Sequence, residues 1–158
     1  MGSLTWRCEG TVDAQPDDVY AWLTDFSADD HSSEAYRRGA GIDARKRTKP
    51  SSRKVLSREG DVLRIEDTWN GQTWTQTVTL DAAARAIRIE GGMGYAATWR
   101  AEPHGSGTRI SVEGQMGRGL VGSVMRLFEK RTRRSMQQDF DGHMEALRES
   151  LRDAGKLK

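Results

Sequence analysis

The sequence predicts a single α+β domain in which a curved antiparallel sheet is covered by one long C-terminal helix. Three observations predict this fold class. Residues 4–12 alternate between apolar and polar, which is typical of a half-buried strand. Between residues 53 and 116, six strand-like segments are separated by short turn-forming segments. After residue 120, the spacing of apolar residues changes to that of an amphipathic helix.

The composition fits one folded domain. A chain of 158 residues is long enough to bury about 70% of the surface that it exposes when unfolded. Its net charge is only +2, and no apolar run approaches the roughly 20 residues of a membrane-spanning helix. The first residues lack the pattern of a secretory signal, so we expect a cytoplasmic protein. We expect residues 4–154 to form the domain, with residues 1–3 and 155–158 as flexible termini.

Two short helices are expected after the first strand. Pro16 suits the first position of a helix, and Asp17 and Asp18 favour its positively polarised N-terminal end. A second helix is predicted around Asp29–Arg38. Cys8 lies on the apolar side of the first strand, which indicates a buried small hydrophobic residue rather than a reactive thiol.

The remaining elements form a meander followed by the long helix. The six meander strands are predicted at Arg53–Ser57, Val62–Trp69, Thr73–Leu80, Ala86–Glu90, Tyr95–Glu102 and Thr108–Met116. A continuous helix from Leu120 to Asp153 would be about 50 Å long, which is enough to cross a whole sheet. Gly142 is its expected weak point.

A polar face within the meander is the main sequence evidence for a site. The two-residue Asn70-Gly71 turn fixes the hairpin register, so that Asp67 faces Trp74 on the inner side of the sheet. An unpaired buried polar group costs roughly 2–7 kcal/mol, so polar groups here either pair with each other or face a cavity. We expect a cavity whose ligand-binding residues are Trp69, Trp74, Gln76, Tyr95, Trp99, Met125 and Phe128. The alternative is a plain core in which Asp67 accepts a hydrogen bond from the Trp74 indole or an arginine.

Three segments carry a family resemblance, namely "WRCEGTVDAQPDDVYAWLTDF", "VTLDAAARAIRIEGGMGYAATWRAEPHGSGTRISVEGQM" and "GRGLVGSVMRLFEKRTRRSMQQDFDGHMEALRESL". They resemble the START-like SRPBCC superfamily, particularly its bacterial polyketide cyclase/dehydrase and lipid-transport branch. The resemblance implies a helix-grip fold with a deep apolar cavity between the sheet and the long helix. It implies no catalytic residue. The basic stretch Arg45–Lys54 departs from the usual pattern of the family.

Other kinds of site have little support in the sequence. His31, His104 and His143 are read as isolated, with no spacing typical of metal ligands, so neither a metal nor a cofactor is expected. His143 lies on the shoulder of the apolar helix stripe and is interpreted as a core or boundary histidine. The sequence has no nucleophile elbow of the Gly-x-Ser-x-Gly type and no phosphate-binding loop.

The function that we favour is a polyketide cyclase or dehydratase of secondary metabolism. In this interpretation Asp67 is the catalytic proton carrier, and Gln76 and Tyr95 orient a carbonyl group. An acidic acyl carrier protein could present the substrate at the basic loop 45–54. The alternative is a carrier or sensor that binds a lipid, quinone or natural product without changing it.

A third interpretation is an interaction protein. The basic segments "RKRTKPSSRK" and "EKRTRR" would then bind RNA, the ribosome or an anionic membrane surface. Aromatic residues do not interleave the basic clusters, so the base stacking of a single-strand binder is not expected. We therefore rank this interpretation last and do not expect nucleic acid as a partner.

Overall fold

The computed structural model describes residues 3–27, 30–43, 45–46, 51–117 and 119–158. It has one antiparallel sheet of seven strands in the order β1-β7-β6-β5-β4-β3-β2. The strands are β1 (Leu4–Val12), β2 (Ser52–Glu59), β3 (Val62–Trp69), β4 (Gln72–Asp81), β5 (Ala86–Glu90), β6 (Ala96–His104) and β7 (Gly107–Met116). The helices are α1 (Pro16–Leu23), α2 (Glu34–Gly39), α3 (Gly119–Arg126) and α4 (Glu129–Asp153).

The predicted sheet is confirmed: a first strand closes against the last strand of a six-stranded meander. The predicted hairpin register is confirmed too, with Asp67 opposite Trp74 and Trp69 opposite Gln72. Asn70 and Gly71 have φ angles of 51° and 79°, as a two-residue turn with both central residues in the left-handed region requires.

The core lies between the sheet and the C-terminal half of α4. Small residues on the inner face make room for large side chains of α4 and of a neighbouring strand. A Cβ on Gly10 would lie 3.1 Å from the Met144 side chain, and one on Gly114 would overlap the Trp6 ring. Cys8 is buried here as predicted, and burial together with the charges of Asp141 and Asp139 raises the pKa of its thiol.

The long C-terminal helix is not continuous, and its predicted weak point was wrong. The helix is interrupted at Leu127 and Phe128, between α3 and α4, rather than at Gly142. The Leu127 and Phe128 amides donate to the carbonyls of Val124 and Met125, three residues back, which tightens the last turn and ends α3. Phe128 then has φ −111° and ψ 20°, outside the helical region.

Gly142 lies where α2 packs most closely on α4. A Cβ on Gly142 would lie 2.7 Å from the Tyr36 ring, and one on Gly39 would lie 2.5 Å from the Asp141 carbonyl oxygen. These distances are shorter than any ordinary contact, so only glycine lets the two backbones come this close. The residue expected to weaken α4 is therefore the one that holds α2 against it.

The predicted second helix is divided in two. A 3₁₀ turn spans Asp30–Ser32 and is followed by the short α2. The Ser33 side chain caps α2 by accepting a hydrogen bond from the Tyr36 amide at 3.1 Å. The predicted start of the helix, Asp29, lies outside the described residues. Both the 3₁₀ turn and α2 contact α4.

The residues after α4, expected to lie outside the domain, contact it. Leu157 packs against the core, and the Lys158 ammonium group donates to the Ser106 carbonyl at 2.8 Å. No helix within the described ranges is long and apolar enough to cross a membrane.

We predict that Gly142→Ala destabilises the protein although alanine favours helices. The gain in helix propensity is about 1 kcal/mol, whereas forcing a methyl group against the Tyr36 ring and backbone costs about 1–3 kcal/mol. Urea unfolding should show a net loss of up to about 2 kcal/mol. Ser135→Ala, at an exposed position of α4, is the control and should be neutral or slightly stabilising. A stabilised Gly142→Ala variant would contradict the close packing.

Candidate functional site

Asp67 points to the inner face of the sheet, where it forms an ion pair with an arginine of the edge strand. Arg53 lies opposite it in the register between β2 and β3. The Arg53 Nε donates to one carboxylate oxygen at 2.8 Å and Nη2 donates to the other at 2.9 Å. The guanidinium group also lies over the Phe26 ring, 5.7 Å from its centroid. An arginine partner is thus what makes this inward carboxylate stable on an apolar face.

We predict that Arg53→Met destabilises the protein by about 2–4 kcal/mol, because it leaves the Asp67 carboxylate buried without a partner. The side chains of the pair are only 18% and 13% exposed, so solvent can compensate little. Arg88→Met is the matched control, because Arg88 pairs with Glu90 in half-exposed positions and should cost less than about 1 kcal/mol. Equal losses in urea unfolding would show that the Asp67–Arg53 pair contributes no more than a surface pair.

Two of the predicted aromatic residues, Trp69 and Trp74, lie on the inner face and keep much of their surface exposed. The Trp69 and Trp74 rings lie 6.4 Å apart between centroids and are 42% and 41% exposed. Gln76 and Tyr95 lie together beside Gly91, where an added Cβ would be 3.6 Å and 3.7 Å from them. This part of the inner face is therefore accessible to a ligand from solvent.

The other three predicted ligand-binding residues lie farther along the fold. Trp99 stacks on Phe140 of α4, with centroids 5.7 Å apart. Met125 lies against Gly117, whose added Cβ would be 3.5 Å from the sulfur. Phe128 lies at the junction of α3 and α4 and is 57% exposed. The seven predicted residues thus form several separate groups and do not line a single cavity.

Side chains fill much of the space in which a deep cavity was expected. The C-terminal half of α4 packs directly on the sheet through contacts such as Phe140 on Trp99 and Met144 on Gly10. A cleft of about 470 Å³ does occur, but it is open to solvent. Its lining includes Trp6, Arg88, Gln115 and Arg133, and none of the predicted ligand-binding residues. The accessible aromatic face is therefore the better candidate for the site.

A cluster of polar side chains lies at the edge of this aromatic face, and it joins three separate elements. The His31 Nε2 lies 3.2 Å from the Asp139 Oδ1, and the His143 Nε2 lies 3.5 Å from the Asp139 Oδ2. The His143 Nδ1 lies 3.1 Å from the Asp30 Oδ2, and the Tyr36 hydroxyl donates to Asp139. We call these five residues the His–Asp cluster.

The interpretation of His31 and His143 as isolated residues was wrong. Asp139 and His143 are four residues apart on α4, and this spacing could have indicated a pair on one helix face. Nothing in the sequence indicates that His31, more than 100 positions away, joins them. Its position depends on how the 3₁₀ turn and α2 pack on α4.

The electrostatics of the His–Asp cluster favour positive charge. Burial by itself would lower the pKa of His143, but the negative charge of Asp139 and hydrogen bonds to Asp139 and Asp30 outweigh it and raise the pKa to about 10. Burial would raise the pKa of the Asp139 carboxyl, yet the charge of His143 and hydrogen bonds from both histidines hold it well below its usual range. The cluster therefore holds His143 in its protonated form, and that positive charge balances part of the negative charge of the two aspartates.

Tryptophan rings connect the His–Asp cluster to the aromatic face. The His31 ring lies 5.2 Å from Trp69, and the His143 ring lies 5.7 Å from Trp99 in an edge-to-face arrangement. Two of the predicted ligand-binding residues thus contact the cluster that sequence reasoning missed. A molecule held between these indoles would lie beside titratable groups.

The basic loop 45–54, predicted as a docking site for a carrier protein, is described only in part. Residues 47–50 lie outside the described ranges, and Arg45 and Lys46 are exposed. The Arg37 guanidinium donates to the carbonyls of Asp43 and Lys46 at 3.2 Å and 2.6 Å, which anchors the described part of this segment to α2.

The chain belongs to the family described as polyketide cyclase / dehydrase and lipid transport, whose model matches residues 6–152. This match confirms the resemblance to the START-like SRPBCC superfamily and its helix-grip fold. Membership supports a protein that binds a hydrophobic ligand, while the specific activity is a separate question. A search of curated proteins finds no significant match.

Solved structures agree on the fold. The protein TTHA0849 from Thermus thermophilus is 22% identical, with a TM-score of 0.64 over 95% of this chain and 98% of that one. A START superfamily protein from Mycobacterium smegmatis is 16% identical, with a TM-score of 0.55 over 92% and 99%. The di-domain ARO/CYC StfQ from the steffimycin biosynthetic pathway is 16% identical, with a TM-score of 0.59 over 93% of this chain and 47% of that protein.

Proposed function

We propose that the protein binds a hydrophobic, polyketide-like or lipid-like molecule on its aromatic inner face and acts on it as a cyclase or dehydratase. The observation that carries this proposal is the line of rings from Trp74 through Trp69 to His31 and His143. It joins accessible apolar surface to groups that can hold or move protons. The family supports a hydrophobic ligand, and the neighbouring ARO/CYC fold is compatible with cyclase chemistry.

Binding would be driven by the exposed indoles. Trp69 and Trp74 keep about two fifths of their surface in water although they belong to the inner face. Covering that surface with an apolar molecule removes it from water and contributes roughly 25 cal/mol per Å². The Asp67–Arg53 pair lies directly beside Trp74 in the register and would orient a polar group of the ligand.

Cyclisation or dehydration also needs a proton carrier and a hydrogen-bond donor for a carbonyl oxygen. Tyr95 suits the donor role, because burial and the charge of Asp139 raise its pKa to about 12 and keep its hydroxyl protonated. Asp67 remains our predicted proton carrier. Since Arg53 holds both of its oxygens, Asp67 must loosen this pair to take up a proton.

A carrier or sensor without catalysis is the second candidate. The bidentate ion pair between Asp67 and Arg53 favours this carrier candidate. A carboxylate whose two oxygens are both held by an arginine orients a ligand more readily than it transfers protons. In that case the aromatic face would bind a lipid, quinone or finished natural product and release it unchanged. An acidic acyl carrier protein at the loop 45–54 belongs only to the enzymatic candidate.

We predict that Trp74→Ala weakens binding of a fluorescent fatty acid by about tenfold, since buried aromatic anchors are typically worth more than 1 kcal/mol. Fluorescence titration measures this affinity. Val62→Ala is the matched control. Val62 is similarly exposed, but because it is next to the inner-face residue Leu63 on the strand, it points to the outer face of the sheet. Equal affinities for both variants would show that the aromatic face is not the binding surface.

We also predict that Asp67→Asn lowers turnover of a linear polyketide mimic while changing its affinity little, because asparagine keeps the size of aspartate but cannot accept the proton. Mass spectrometry of the product measures turnover, and fluorescence quenching measures affinity. Unchanged turnover would remove Asp67 as the proton carrier. Wild-type protein that binds the mimic and returns it unaltered would favour the carrier.

A further inference from the structure

We propose that His31, Asp139 and His143 form a binding site for a divalent transition-metal ion, with zinc as the best match to the donor set. Imidazole and carboxylate are common zinc ligands, and three protein ligands leave a coordination position for water or substrate. The donor atoms of the three residues all lie within 4.8 Å of one another. The site therefore needs only small side-chain movements to close around an ion.

The spacing of the donor atoms fits a small metal ion. In a tetrahedral site with bonds of about 2.1 Å, neighbouring donor atoms are about 3.4 Å apart. The two histidine nitrogens lie 3.2 Å and 3.5 Å from the oxygens of Asp139. The first distance is to Oδ1 and the second to Oδ2 of Asp139, and each is close to the spacing expected for two donor atoms on one ion.

The neighbours of the three ligands orient them as they would around a metal. A metal ion would displace the proton that His143 otherwise carries on Nε2, and the Nδ1–H donated to Asp30 would then keep Nε2 turned toward Asp139. A carboxylate that accepts from the outer nitrogen of a histidine ligand is the usual support in metal sites. The Tyr36 hydroxyl fixes the Asp139 carboxylate in the same way.

The burial and the charge of the His–Asp cluster also fit a bound metal ion. The two histidine side chains are less than one fifth exposed, whereas Asp139 is 40% exposed, so the site is enclosed on the histidine side and open on the other. Two carboxylates, from Asp30 and Asp139, meet in the His–Asp cluster with no arginine or lysine bonded to either among the described residues. A divalent cation neutralises them.

The competing interpretation is an internal ion-pair network. A protonated His143 would then bridge Asp30 and Asp139 and fasten the 3₁₀ turn to α4, with no ion bound. The two interpretations share every distance but differ in what they require of His31. Only a metal site needs the His31 nitrogen as a ligand, and only a metal site makes the protein bind zinc with a fixed stoichiometry.

The test uses full-length protein freed of metals with a chelator and titrated with Zn²⁺ by calorimetry and with Co²⁺ by visible absorption. We expect one equivalent to bind and Co²⁺ to give the absorption of a tetrahedral or five-coordinate site. Asp30→Ala should weaken binding by about 10–100-fold, as loss of an orienting carboxylate does. His31→Gln and His143→Gln should weaken it more.

His104→Gln is the matched control, because His104 is exposed at the end of β6 and is not one of the three clustered ligand residues. Its affinity for Zn²⁺ should equal that of the wild type. If the His143 variant fails to fold, histidine ring resonances of the wild-type protein provide the same answer, because Zn²⁺ should shift those of His31 and His143 and not that of His104. Absence of stoichiometric binding, or His31→Gln binding Zn²⁺ as the wild type does, would overturn the proposal.

The metal site does not depend on the proposed function, since the titration uses no organic ligand. It extends that function if the open position faces the molecule held between Trp69 and Trp99, where a bound ion could polarise a carbonyl oxygen. Binding of a fatty acid by metal-free protein would support the aromatic face even if no zinc bound. Zinc binding without fatty-acid binding would support the metal site alone.

Discussion

The close packing of α2 on α4 is the constraint on which the candidate site depends. Gly39 and Gly142 let the two backbones approach to a distance that any Cβ would prevent. This contact places Tyr36, and the 3₁₀ turn before it, directly over the residues Asp139 and His143. A polar cluster from three separate chain segments forms because two small residues are present at the crossing.

The position of α4 on the sheet decides which part of the inner face is covered. The C-terminal half of α4 packs on β1 and reaches Trp99 on β6, so the core there is filled by side chains. Trp69 and Trp74, nearer the β2 edge, keep a large exposed fraction although they point to the inner side. The accessible surface and the filled core are thus two ends of one face, and the His–Asp cluster lies between them.

Two aspartates at this apolar face are stable because each has specific partners. Asp67 has Arg53, which in turn lies over an aromatic ring. Asp139 has two histidines and a tyrosine. Family membership accounts for the fold that presents these groups but does not by itself assign their chemistry, since one fold supports many functions.

The sequence by itself determined the sheet, its register and its inner face. Alternation of side chains along a strand and the Asn70-Gly71 turn are local properties, and they placed Asp67 opposite Trp74 correctly. The end of α3 at Leu127 and Phe128 was missed, because the apolar period continues through it. Periodicity reports which residues share a face and not where the helix hydrogen bonds are interrupted.

Only the tertiary structure decided the His–Asp cluster. His31 and His143 are separated by most of the sheet in sequence, and no spacing rule links them. They meet because α2 and α4 pack closely at their glycines. From sequence alone, a glycine in a helix predicts a weak point rather than a packing contact. Local propensity depends on neighbours along the chain, whereas a site built from three elements depends on how those elements pack.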